Sequence, residues 1–404
     1  MIATIPQINY CKKCLLPSSS AIPVAFDDHG VCSACRTSKE KEAIDWDRRL
    51  KKFQRILEQY RSKDGSNYDC IIPVSGGKDS FFQVHQVKNE MGFNPLLVTY
   101  NSNNYTPTGL KNLQRMRDVF GCDHVFFTTS VHTLQKLNRI SVQIMGDTQW
   151  HYQSGIFTYP FQVAVQMNIP LLIWGEHGHM DIGGMHSYND FVEFTYRYRH
   201  EHILRGFEWT DFMAKAAEYG ETLERREMIP FVYPSDEEID RVGVRGIYMA
   251  NFVKWEANEH GPLMMEKYGW LENEEPFERT YRRMSNLDDF YENGIHDYLK
   301  FIKFGYGRAT DHACKDIRAG KMTREEGIKI IQQMDHVKSK DVYQWLDFVG
   351  WTEEQFDHLA DTYRDPRVWW IRDGQWHKMD ITGEPTAYGK VHLTPEEQQK
   401  YVRA

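Results

Sequence analysis

Asp69-Cys70-Ile71-Ile72-Pro73-Val74-Ser75-Gly76-Gly77-Lys78-Asp79-Ser80 is the stretch from which the fold is read. Its apolar part is too short for a helix and reads as a buried strand. A glycine turn follows, and beyond it Phe81, Val84, Val87 and Met91 recur at helical spacing until Gly92 stops them. Strand, glycine turn and helix then repeat. NPLLVTY (94–100) is a second strand, and Pro107 opens a helix with Leu110, Leu113, Met116 and Phe120 on one face, closed by Gly121. HVFFTTS (124–130) and IPLLIWG (169–175) are two more strands with helical sequence between them. Strands alternating with helices of this length predict βαβ units, and so an α/β fold with a doubly wound parallel sheet.

Four segments are expected around that pattern. Residues 1–40 form a four-cysteine module. Residues 41–66 carry a linking helix, with Trp46, Leu50, Phe53, Leu57 and Tyr60 at helical spacing, broken by KDGSN at 63–67. Residues 67–240 hold the α/β domain, and residues 241–404 read as long, aromatic, charged and mainly helical, with no strands expected beyond about 236. The chain of 404 residues is 41% hydrophobic and 26% charged, which excludes disorder and collagen-like repeats. No window approaches about 18 uninterrupted apolar residues, so no membrane span is expected. The start shows no secretion signal, which points to a cytoplasmic protein. A net charge of −8 speaks against nucleic acid as a partner.

Ser75-Gly76-Gly77-Lys78-Asp79-Ser80 has the chemistry of an anion cradle. Glycines let backbone N–H groups approach a phosphate, and the helix N-terminus adds its dipole. Ser75 and Ser80 add hydroxyls, Lys78 neutralises charge, and Asp79 suits Mg2+. The stretch is neither a Walker loop nor the Gly-x-Gly-x-x-Gly of dinucleotide domains. Cys11-x2-Cys14 and Cys32-x2-Cys35 are two knuckles that together supply the four thiolates of a structural zinc. Cys70, Cys122 and Cys314 stand alone, and none lies in a nucleophile elbow. Gly175-Glu176-His177-Gly178-His179-Met180-Asp181 follows the fourth strand, so its side chains emerge at the carboxyl edge. Glu176, His177, His179 and Asp181 can there bind Mg2+, contact a substrate or move a proton, or else serve only to cap and fill the loop.

SGGKDS resembles the PP-loop of the ATP pyrophosphatases (HUP-like), which cleave ATP between the α and β phosphates; the likeness runs from 67 to 240 and includes IPFVYPSDEEID at 229–240. Together with the cysteine knuckles, WGEHGHMDIGG (174–184), GIYMANFVKW (246–255) and FGYGRATDHACKDIRAGKMTREE (304–326), it resembles the N-acetyl sugar amidotransferases of the WbpG/PseA type. Those enzymes make amidino sugars for lipopolysaccharide O-antigens or for flagellar glycans of the pseudaminic acid kind. The resemblance implies adenylation of an acetamido oxygen on a nucleotide-activated sugar, then attack by ammonia to give an acetamidino group. ATP, Mg2+ and structural Zn2+ are the implied cofactors. Ser75 to Ser80, Tyr100 and Asn101 are expected to hold ATP, and Lys78, Asp79, Glu176 and His177 to be catalytic. His179, Asp181, Lys303 and Arg308 are expected to meet the sugar, with Asp311, Arg245 and Lys254 as weaker candidates. Ammonia is expected from a separate glutaminase with a barrel subunit, similar to imidazole-glycerol-phosphate synthase, because no cysteine here sits in a glutaminase context. The alternative is a PP-loop tRNA-thiolating enzyme, which shares the zinc module and the loop. A non-catalytic nucleotide-binding regulator on the same fold is a third reading, against which Lys78 and Asp79 count.

Overall fold

A computed structural model describes residues 5–102, 105–285 and 292–402. The order of the five parallel strands follows from which residues are apolar on both sides. β1 (Cys70–Pro73) is central, flanked by β2 (Pro95–Asn101) and β4 (Leu171–Trp174), with β3 (His124–Thr128) and β5 (Arg245–Tyr248) outside. Successive side chains point to opposite faces. Ile72, Leu97, Ile173 and Ile247 therefore face one core, and Ile71, Leu96, Leu172 and Tyr248 the other. The first core is covered by α3 (Lys78–Val84), which continues in a wider π turn over His85–Glu90, and by α4 (Pro107–Phe120). The second is covered by α5 (Val131–Met145) and α6 (Trp150–Met167). This is the doubly wound α/β sheet expected from the sequence. Its order reverses between β1 and β4, and both strands end at the same carboxyl edge, where a crevice opens.

The local signals place most elements. Thr106 caps α4 by accepting from the Gly109 N–H, Pro107 fills the first turn, and Gly121 closes it at φ 56°. Leu110 departs from expectation and is 42% exposed; Asn112 takes the inward position, bonding the backbone of Leu271 through both its amide oxygen and nitrogen (2.9 and 2.7 Å). The linking helix is α2 (Trp46–Tyr60), with Asp45 as its N-cap and Arg49, Phe53, Ile56 and Leu57 buried.

Beyond residue 236 the expectation of no strands fails. β5 lies past the expected domain end at 240 and completes the main sheet beside β4. A second, antiparallel sheet of β6 (Trp370–Arg372), β7 (Gln375–Met379) and β8 (Pro385–Lys390) sits within the helical region. Its hairpin turn is Asp373-Gly374, both with positive φ (52° and 71°), the dipeptide that a tight right-twisted hairpin requires. That signal stood in the sequence; the strands it joins are too short for a periodicity to register. The remaining α-helices are α1 (Ser33–Glu40) in the cysteine module, α7 (Gly178–Gly183) after β4, short helices α8 (Tyr196–Tyr198), α9 (Trp209–Lys215) and α10 (Asp236–Val242), then α11 (Ala257–Tyr268), α12 (Glu292–Phe304), α13 (Arg308–Arg318), α14 (Arg324–Met334), α15 (Lys340–Val349), α16 (Glu353–Thr362) and the single turn α17 (Pro395–Gln398).

Close packing of α6 on β2 rests on a glycine. A Cβ at Gly155 would fall 2.4 Å from the Tyr100 ring. Gly155→Ala is expected to lower stability by about 1–3 kcal/mol in urea unfolding, the usual cost of overpacking. Gly178→Ala, where a Cβ meets nothing within 4 Å, should not lower it.

Candidate active site

The turn after β1 has the shape its sequence requires. Gly76 has φ +79°, and a Cβ there would fall 2.8 Å from the Leu113 backbone nitrogen. Its carbonyl accepts from Trp270 Nε1 at 3.0 Å, while the Ser75 N–H donates to Ser80 Oγ at 3.1 Å. Lys78 and Asp79 are brought together: Nζ lies 2.6 Å from Oδ2. The other Asp79 oxygen meets Nδ1 of His260 at 2.7 Å. Burial opposes the Asp79 charge, but Lys78 and His260 outweigh it and hold the carboxyl well below the usual range. His260 is 3% exposed, stacked 3.8 Å from Phe82 and edge-on to Trp255. Sequence reasoning missed it. It lies on α11, far along the chain, in a stretch with no motif.

The loop after β4 divides into two groups that the sequence reading had treated as one. A Cβ at Gly175 would lie 2.0 Å from Gln83 Nε2, so glycine is what lets this loop run against α3. Glu176 and Asp181 turn toward α13, where Lys315 Nζ lies 2.5 Å from Asp181 and 3.6 Å from Glu176 Oε1. Glu176 Oε2 is buried and has no hydrogen-bond partner among the described residues. Burial pushes the Glu176 carboxyl above its ordinary range; Lys315 opposes this, while Asp181 and Asp79 add to it. The Asp181 carboxyl is held low despite burial, by Lys315 and Lys41.

His177 and His179 turn the other way. His177 Nδ1 accepts the Met180 N–H and caps α7, and its ring lies among His186, Tyr198 and Tyr248. His179 Nδ1 pairs with the Tyr198 hydroxyl. Burial brings His177 down to about 3 and His179 to about 4, so both are neutral at neutral pH.

Several expected contacts lie elsewhere. Tyr100 is a core residue, its hydroxyl accepting from Thr129 (2.9 Å) and pairing with His151 (3.2 Å), and Asn101 is buried with Nδ2 on Thr128 (3.0 Å). Arg308 is held by Asp297 through Nε and Nη2 (2.8 and 2.7 Å), and Asp311 pairs with Lys300, so the charges of that turn are consumed within the C-terminal region. Lys303 is half-buried beside Asp147; burial brings it down to about 8, against the pull of Asp147. Arg245 is bound to Glu193 (3.0 Å), whereas Lys254 is 57% exposed. Besides Lys78, the cations that border the carboxyl edge include Lys41, Arg282, Lys315 and Arg318. They were missed because only the tertiary structure lays α13 over α7.

What lays it there is the cysteine module. Cys11, Cys14, Cys32 and Cys35 are buried, with ligand atoms all within 4.8 Å of one another, Cys14 and Cys32 sulfurs at 3.7 Å and Cys11 and Cys35 sulfurs at 3.9 Å. A tetrahedral ion with bonds of about 2.3 Å to sulfur needs edges of about 3.8 Å, so the set suits zinc. The module grips α7, where Ser33 Oγ donates to the Gly183 carbonyl (2.6 Å) and a Cβ at Gly184 would strike the Ser33 backbone at 2.4 Å. It also grips α13 and α14: the Leu15 N–H donates to Cys314 Sγ (3.4 Å) and Arg324 Nε to the Cys14 carbonyl (3.2 Å). Between α7, α11 and α13 lies a cleft of about 280 Å³, bordered by Lys41, Glu176, Asp181, Trp255, Arg282 and Lys315. Along Asn258, Arg282 and Lys321 it joins a second hollow that reaches Lys78.

Fold and site together define a doubly wound α/β protein whose phosphate-type loop is bordered by α11 and by a C-terminal segment. Residues 278–381 match the family described as LPS biosynthesis protein WbpG-like, C-terminal domain, in keeping with the family the chain resembles. An uncharacterized protein of Methanocaldococcus jannaschii is 26% identical over 102 residues, which are 25% of this chain and 36% of that protein; the match thus spans about a third of the relative's length. Among solved structures, an NH3-dependent NAD synthetase from Campylobacter jejuni aligns at 13% identity and a TM-score of 0.28, covering 49% of this chain and 92% of that one. An NMN synthetase from Francisella tularensis aligns at 13% and 0.26, covering 49% and 94%. No helix among the described residues is long and apolar enough to cross a membrane.

Two outcomes are expected from this geometry. Metal analysis should find one zinc per chain, and Cys35→Ser should lose it while speeding hydrogen exchange in both 178–184 and 308–318; less than half an equivalent in the intact protein would count against the site. The second concerns pH. Because folding lowers the His177 and His179 pKa values to about 3 and 4, stability should be complete above the unfolded value of about 6.5 and fall as pH drops toward 4. His177→Asn keeps a capping side chain and should remove on the order of 3 kcal/mol of that acid loss, measured by urea unfolding at both pH values.

Proposed function

We propose that this chain is an ATP-dependent, AMP-forming amidotransferase that converts the acetamido group of a nucleotide-activated sugar to an acetamidino group. The observation that carries this reading is that Lys78 and Glu176 line adjoining hollows that share Asn258, Arg282 and Lys321, with residues of the WbpG-like segment in both walls. The chemistry required is adenylation of a poor electrophile, so the protein must orient two bound reactants and stabilise charge on a leaving pyrophosphate. The loop N–H groups and Lys78 face that charge. Asp79, ionised and fixed between Lys78 and His260, is the residue suited to hold Mg2+, which when bound would offset phosphate charge. Zinc on the four cysteines is structural in this reading, because four thiolates fill its shell.

Ammonia is the second reactant. A glutaminase site needs an activated thiol, but Cys70, Cys122 and Cys314 are buried, and burial pushes all three thiols up. The same finding disfavours tRNA thiolation, which also requires a reactive thiol. A separate glutaminase with a barrel subunit supplies ammonia in this reading, and the reaction takes place in the cytoplasm.

Lys78→Ala and Asp79→Asn are expected to lower AMP formation at least a hundredfold while shifting the thermal midpoint by no more than about 2 °C, since both lie on a βα turn. Release of ADP instead of AMP would reject the assignment. With the isolated chain, ammonium at alkaline pH should support amidine formation and glutamine alone should not.

A further inference from the structure

The cleft beside Glu176 is lined by closely paired charges of both signs. Lys315 faces Asp181 (2.5 Å), Arg282 faces Asp316 (2.6 Å), Lys254 faces Glu256 (3.9 Å) and Lys321 faces Glu259 (3.8 Å). Lys41 shares Asp181 with Lys315, and Arg318 donates to the Asp181 carbonyl and meets no carboxylate among the described residues, so the lining presents a single unanswered cation and no positive cluster to attract a polyphosphate. It has instead a dense set of donors and acceptors, which is what a hydroxyl-rich ring needs. Three groups there have no hydrogen-bond partner among the described residues: Oε2 of Glu176, Nη1 of Arg318, and Nε1 of Trp255, a residue only 3% exposed. Buried polar groups normally find partners, so an orphaned acceptor and two orphaned donors on residues bordering one cleft point to a ligand that supplies both kinds of partner.

We propose that this cleft holds the glycosyl part of an acetamido sugar, and that Glu176 accepts the N–H of its acetamido group and takes that proton as the amide oxygen is adenylated. This rests on the reaction proposed above and deepens it. When the amide oxygen attacks the α-phosphorus, an O–P bond forms and the bond to pyrophosphate breaks. The nitrogen must then lose its proton to give the neutral imidate, C=N with O-AMP. Glu176 receives that proton, and ammonia later displaces AMP from the imidate carbon. Lys315 and Asp181 act as positioning residues, holding Glu176 on the side of the cleft that adjoins Lys78 and Asp79.

The test uses the full chain with α,β-methylene-ATP and N-acetylglucosamine as the probe, read by saturation-transfer NMR. The acetamido methyl should be saturated in the wild type and in Glu176→Gln, whose amide oxygen still accepts an N–H. It should vanish in Ala319→Trp, which fills the cleft from an exposed position on its rim. In ATP–pyrophosphate exchange driven by a panel of nucleotide-activated acetamido sugars, Glu176→Gln should lose at least a hundredfold, since a general base contributes about that much or more. A role limited to the Lys315 ion pair would lower binding and exchange together. Methyl saturation that is absent in the wild type or survives in Ala319→Trp overturns the site. Exchange that persists within threefold in Glu176→Gln overturns its role as base. If the NMR pattern holds while no acceptor supports exchange or amidine formation, the reaction proposed above fails and the acetamido site stands.

Discussion

The Asp181–Lys315 ion pair joins the two halves of the site, and neither half chooses the other by itself. Asp181 belongs to the loop leaving β4, whereas Lys315 belongs to α13. Both side chains are about four-fifths buried, so each charge depends on its partner, and removing one would leave the other uncompensated. An ion pair of this kind specifies a geometry more than it supplies net stability. Here the geometry is the spacing between the phosphate-type loop and the C-terminal segment that borders it.

The cysteine module is what maintains that spacing. Its Ser33–Ala34 backbone fits against Gly184 so closely that any side chain there would collide, and Leu15 bonds to Cys314 on the opposite wall. Cys11, Cys14, Leu15, Leu16, Ala309, Ala313 and Ile331 share one apolar cluster. The module therefore has little core of its own, and is a clamp whose jaws are α7 on one side and α13 with α14 on the other.

The C-terminal segment is itself stiffened by buried charge. Arg279 bonds Asp297 at 2.7 Å and also Asp341, and Arg308 bonds the same Asp297, all with little exposure. Such a network is costly to bury and tolerates few alternative arrangements. Within it Arg308, a sugar or phosphate candidate by resemblance, ties α13 to α12 through Asp297.

How much was legible depended on the range of each interaction. The strand, turn and helix around Ser75–Ser80, the caps of α4 and the paired CxxC knuckles are decided within a few residues, by apolar period, backbone freedom and ligand spacing. These the sequence determined by itself, and from them the doubly wound sheet. The partners of the site were decided by tertiary structure alone. His260 reaches Asp79 across 181 residues, Lys315 reaches Asp181 across 134, and neither lies in a local pattern that differs from an ordinary amphipathic helix. Tyr100 and Arg308 show the converse: their local context suited a ligand, yet burial and a nearer partner claimed them. A charge pair or an orphaned carboxylate oxygen is a property of two surfaces meeting, and only the folded chain, with the cysteine clamp in place, brings those surfaces together.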